Sequence, residues 1–145
     1  MENLLRFVKE HEGDEISRLI LDRKKYHEID IDLAVNCIES RRKLKGKVQE
    51  WHDNPALIFP LKLSAEQCSS SATGVYKANL AEKIARGSFH DLPQDTKTDD
   101  ADKGWSIADL TGGLGIDSWF FSQKASKVIY NEMQQTLCEA ARHNF

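Results

Sequence analysis

The chain is short of several features that mark whole classes of protein. No apolar run among its 145 residues approaches the roughly 20 needed to span a bilayer, so no membrane partner is expected. Its N-terminus, MENLLRFVKEHEGDE, puts acids where a secretory leader needs unbroken apolar residues. The three cysteines, Cys37, Cys68 and Cys138, are odd in number and widely separated. That pattern excludes a disulfide framework and suits reduced thiols in a cytoplasmic protein. His11, His27, His52, His90 and His143 show no ligand spacing with one another or with the cysteines, so no metal is expected. There is no excess of basic charge either, since 20 Lys and Arg face 23 Asp and Glu for a net charge of −3. A global electrostatic footprint for nucleic acid is therefore missing.

What is present divides into two textures. Residues 1–92 read as a helical domain. Leu4, Leu5 and Val8 share one helical face, and Gly13-Asp14 offers a stop followed by a new cap. Ile16, Leu19 and Ile20 mark a second helix, which runs into Arg23-Lys24-Lys25. Asp30 or Asp32 caps a third, expected to continue to about Trp51. Its cations Arg41, Arg42, Lys43, Lys45 and Lys47 are read as a solvated outer face, with contact to RNA phosphates as the alternative. Pro55 and Pro60 bracket an extended connector, and Ser64 precedes a capped turn. From about Ala72 to Arg86, Val75, Ala78, Leu80, Ala81, Ile84 and Ala85 form an apolar stripe, with Tyr76 expected in the core and Gly87 as a stop. Residues 93–104 are polar, charged and aperiodic, and are read as a linker. Residues 105–145 then read as strand (105–110), glycine loop, helix (116–125), strand (127–132) and helix (134–145). This is the start of a doubly wound α/β sheet.

The loop itself, IADLTGGLGID, decides the ligand class. A triphosphate-binding loop requires a Lys followed by Ser or Thr after its last glycine, and none is there. A dinucleotide loop requires three spaced glycines and an acid about 20 residues on. Gly113, Gly115, Ser118 and Glu132 meet that spacing tolerably. Charge argues the other way, because a pyrophosphate would sit on the loop's N–H groups between Asp109 and Asp117. S-adenosylmethionine brings a sulfonium and an ammonium to the same place and no phosphate. Its ribose hydroxyls call for an acceptor at the end of the second strand, where Glu132 lies. The plain structural alternative is that the glycines only permit a tight strand-to-helix turn.

Asp109-x-Thr111-x-Gly113-x-Gly115, with Glu132 following, resembles motifs I and II of class I S-adenosylmethionine-dependent methyltransferases, with Thr111 in place of the usual first glycine. RRKLKGKVQEW, FPLKLSAEQCSSSATGVYKANL and DLTGGLGID occur in that order. Together they resemble the N-terminal part of a bacterial methyltransferase family whose members carry a C-terminal THUMP-like domain. Ser71, Gly74 and Val75 depart from that family's usual residues. The resemblance implies a helical N-terminal domain followed by the first βαβα portion of a Rossmann-like methyltransferase sheet. It also implies S-adenosylmethionine as cofactor, RNA as the methyl acceptor, and Asp109, Thr111, Gly113, Gly115, Asp117 and Glu132 as cofactor-binding residues.

The chain holds only two strands of such a sheet, so it is expected to be a fragment of a longer enzyme, inactive by itself. Its open strand edges are expected to favour self-association. No catalytic base can be named. Asn54-Pro55-Ala56 is only superficially like a substrate loop and reads as a connector turn. Lys77 stands where it could approach the cofactor cleft. The tryptophans Trp51, Trp105 and Trp119 and the pair Phe120-Phe121 read as packing residues. The alternative function is a non-catalytic helical interaction module with an α/β assembly tail. A dinucleotide-binding role ranks third.

Overall fold

A computed structural model of the chain describes residues 1–87 and 104–145. It is a helix-rich α/β structure with a two-stranded parallel sheet. The chain forms two compact units that interleave along the sequence. One comprises Met1–Cys68 with Gln134–Phe145, and the other comprises Ser69–Met133. Most of the segment read as a linker, 93–104, lies outside the described residues. No described helix is long and apolar enough to cross a membrane.

The first unit is built on α3 (Ile31–Leu44). Its N-terminus is fixed by Asp30, whose Oδ1 accepts from the Leu33 N–H at 3.0 Å. Against α3 pack α1 (Glu2–Glu10), α2 (Ile16–Leu21) and α5 (Lys62–Gln67). Leu4, Phe7, Val8, Leu19, Ala34, Val35, Ile38 and Ile58 form the core. Cys37 is buried in it, and desolvation pushes its thiol up to about 11, the state of an inert packing cysteine.

Two expectations fail in this unit for backbone and electrostatic reasons. The third helix does not reach Trp51. Lys45 leaves helical geometry at ψ 121°, Gly46 adopts φ +71°, and a separate turn, α4 (Gln49–His52), follows. Glycine takes that left-handed conformation without a Cβ penalty. The cations of α3 and its C-terminal extension are also not a simple solvated face. Arg41 is buried, donates to the carbonyls of Asn54 (3.1 Å) and His52, and lies 5.7 Å from the Phe59 ring centroid. Arg42 donates to the carbonyls of Glu12 and Asp14, and Lys47 to those of Ala65 and Glu66. These side chains hold carbonyls at helix ends and in the turns between helices.

The connector around Pro55 and Pro60 is extended but not a strand. It is gripped by α8 (Gln135–Asn144) of the same unit: the Asn144 side chain accepts from the Ile58 N–H and donates to the Ile58 carbonyl, both at 2.9 Å. Trp51 is core, as its sequence context suggests, and stacks on Phe59.

The second unit places α6 (Ser71–Ala85) against α7 (Ile116–Ser122). α6 is capped by Ser70, whose Oγ accepts from the Thr73 N–H. Its contact with α7 is a narrow seam. Gly74 and Ala78 are buried, whereas Val75, Tyr76 and Ile84 are exposed, Tyr76 by 66%. The broad stripe with a core Tyr76 is therefore corrected. Small residues four apart let the Phe120 ring approach the α6 backbone, and the larger apolar residues are left outside. β1 (Ser106–Asp109) and β2 (Lys127–Tyr130) pair in parallel, with Asp109 opposite Tyr130, and α7 is the helix between them.

Candidate functional site

The parallel arrangement brings the C-terminal ends of β1 and β2 together, and both lead into the residues singled out from the sequence. The β1 strand ends at Asp109, and the chain turns through Thr111, Gly112 and Gly113 to Gly115, the N-cap of α7. Gly113 (φ +55°) and Gly115 (φ +92°) occupy left-handed conformations, which explains why glycine stands at both. Gly112 is glycine for another reason. A Cβ there would sit 2.1 Å from the Tyr130 ring, so only a bare backbone can cross it.

Glu132, two residues beyond β2, closes the loop from the other strand. Its Oε2 accepts from the Gly113 N–H at 2.9 Å and its Oε1 from the Met133 N–H at 2.8 Å. Tyr130 donates from its hydroxyl to the Gly113 carbonyl at 2.7 Å. Both polar groups of one glycine peptide position are thus held by the second strand. Asp109 is tied within its own half of the site. Its Oδ2 accepts from Ser118 Oγ at 2.7 Å and its Oδ1 from the Thr111 N–H at 3.3 Å.

Asp117, in the first turn of α7, has different company. Lys77 Nζ donates to its Oδ2 at 2.6 Å, Ser69 Oγ donates to the same oxygen at 3.1 Å, and Lys77 also donates to Ser69 Oγ at 2.9 Å. The two flanking acids are therefore not equivalent. Asp117 is balanced by an ammonium, whereas Asp109 accepts from two neutral donors, Ser118 Oγ and the Thr111 N–H. The structure joins Gly113 to Glu132, joins Thr111 to Asp109, and sets Asp117 apart with Lys77. Tyr130 and Ser69 were not singled out in the sequence. Nothing local in the sequence announces Tyr130, because the lack of a positive φ at Gly112 and the ring packed against it are visible only in the fold.

In a dinucleotide site the Gly113 N–H would point at a phosphate. Here it already donates to a carboxylate.

Neither a protein-family model nor a curated protein sequence matches the chain. Among solved structures, the chain is similar to one described as a "putative methyltransferase" from Porphyromonas gingivalis W83. The match has 28% sequence identity and a TM-score of 0.69 over 98% of this chain. The chain spans 30% of the length of that protein. Among the described residues no group of three or more His, Cys, Asp or Glu is placed to hold a metal ion. A cleft of about 370 Å³ in the helical unit, lined by Phe7, Tyr26 and Ile29 among others, shares no residue with the loop.

Proposed function

We propose that the chain supplies the glycine-loop part of an S-adenosylmethionine site in a methyltransferase that acts on RNA. The observation that carries this reading is the Glu132 carboxylate on the Gly113 N–H. An anion built into the loop repels a pyrophosphate and suits a ligand whose reactive end is cationic. A carboxylate accepts from several donors at once, so Glu132 can hold the Gly113 N–H and serve as the acceptor for the ribose hydroxyls. Asp109 faces the cationic amino-acid end, Thr111 shapes the entrance, and Gly113 and Gly115 allow close approach of the backbone. Asp117 acts through its partner Lys77. When bound, the cofactor supplies an electrophilic methyl group. The chain's own residues orient that group and contribute chiefly by positioning. RNA as acceptor rests on the resemblance to the family with a THUMP-like domain, because Arg41, Arg42 and Lys47 are committed to carbonyls inside the helical unit.

Calorimetric titration tests the reading. S-adenosylhomocysteine is expected to bind and NADH to give no saturable heat. Saturable NADH binding with no response to S-adenosylhomocysteine would reverse the assignment to a dinucleotide. Silence with both ligands would leave the helical interaction module as the better account.

The same unit supports self-association. The sheet has two strands among the described residues, and Ala108 and Ile129, opposite one another, are exposed on one face. This exposed face lies beside outer strand edges that are unpaired among the described residues, and a face and edge of this kind favour pairing with another chain. Light scattering is expected to show mass rising with concentration, and Ile129→Lys to suppress the rise. A concentration-independent monomer would refute the expectation.

A further inference from the structure

The amino-acid end of S-adenosylmethionine carries an α-carboxylate as well as an ammonium, and the glycine loop offers that carboxylate little. The N–H of Thr111 is committed to Asp109 Oδ1, that of Gly112 to the Asn131 carbonyl at 2.8 Å, that of Gly113 to Glu132, and that of Gly115 to the Gly112 carbonyl at 2.7 Å. The N–H groups of Leu114 and of the first turn of α7 have no acceptor among the described residues and remain open to a carboxylate, but they carry no full charge, so neutralising it falls to a side-chain cation.

Among the described residues, the second unit contains few candidates. Lys124 and Arg86 both pair with Glu82, at 2.7 and 3.2 Å. Lys127 opens β2, at the end of the parallel strands opposite the loop. Lys83 lies six residues beyond Lys77 on α6, about 9 Å further along the helix at 1.5 Å per residue. Lys77 is different. Its ammonium is held by Asp117, two residues after Gly115, and by Ser69, while its side chain remains 43% exposed. An ammonium has three donors. Two are committed, and the third has no partner among the described residues. Asp117 and Ser69 also fix a side chain that would otherwise lose considerable rotamer entropy on binding a ligand.

We propose that Lys77 binds the α-carboxylate of the cofactor's amino-acid end, with Asp117 and Ser69 as the residues that position it. The assignment rests on the S-adenosylmethionine reading above. Lys77 and Asp109 then present opposite charges to the two charges of an amino-acid zwitterion. Asp117 is one step removed from the ligand, which accounts for its pairing with a lysine.

The test compares S-adenosylmethionine with its decarboxylated form, which differs only in the group Lys77 is assigned to bind. The native chain is expected to bind the intact cofactor about tenfold or more tightly, the scale of one charge-assisted hydrogen bond. Lys77→Gln, which keeps a donor for Asp117 but loses the charge, is expected to bring the ratio close to one. Lys77→Arg is expected to keep most of it. A ratio near one in the native chain overturns the assignment while leaving the cofactor reading intact, and needs no variant to fold. A ratio that persists in a folded Lys77→Gln chain places the carboxylate elsewhere and also overturns it. If neither ligand binds the native chain, the cofactor reading falls and this assignment falls with it.

Discussion

Replacing Gly74 with valine is expected to destabilise the unit that carries the glycine loop by about 3 kcal/mol, the upper part of the usual range for overpacking a closed seam. Glycine inside a helix costs roughly 1 kcal/mol relative to alanine, so its presence in the fourth position of α6 needs a reason. The reason is Phe120. A Cβ on Gly74 would lie 2.1 Å from one ring carbon and 2.6 Å from the next, far inside contact distance. The ring is itself 6% exposed and cannot swing into solvent without emptying the seam. Thermal unfolding followed by circular dichroism should show the midpoint falling by about 10 °C or more for a unit of this size. Asn79→Val, on an exposed position of the same helix, should move it little. A Gly74→Val midpoint within about 2 °C of native, on the same scale, would mean that Phe120 yields easily and that the seam is not close-packed.

Glu132→Ala is expected to weaken S-adenosylhomocysteine binding about 100-fold, the loss of two hydrogen bonds to a charged group. Two effects act in the same direction. The ribose hydroxyls lose their acceptor, and the Gly113 N–H loses the partner that sets the loop's shape. Glu132→Gln keeps an acceptor oxygen and should cost nearer tenfold. The fold should survive in both variants, because Tyr130 still holds the Gly113 carbonyl and the β1–β2 ladder is untouched. Native-like affinity in a folded Glu132→Ala chain would remove Glu132 from the site. The sequence resemblance would then be left without its principal contact.

The readable parts of the molecule were those whose signal is local. A glycine run after an apolar segment announces a strand-to-helix turn wherever it occurs, and β1 and β2 fall within the expected 105–110 and 127–132. Asp30 caps α3 because a carboxylate one residue before a helix has its partner three residues ahead. What escaped depends on residues far apart in sequence. Arg41 looks like any surface cation until the chain folds back and presents the carbonyls of His52 and Asn54. Tyr76 looks like core because nothing local says that Phe120 fills the space beside Gly74. Charge counting at the loop misses a partner for a similar reason. It includes Asp117 as a free anion, whereas a lysine forty residues earlier neutralises it. Glu132 was legible as an acid at the correct distance. Its use as a clamp on Gly113 was not, since spacing carries no information about which backbone donor a side chain will find.

That clamp has a consequence for competition. Cells hold nucleoside triphosphates at concentrations far above those of most cofactors, and any exposed cluster of loop N–H groups is a standing invitation to them. On the function proposed above, the tethered carboxylate on the Gly113 N–H would act as a resident competitor at that position, always at hand and never diluted, and would discriminate against phosphate by exclusion before any favourable contact with the ligand is made.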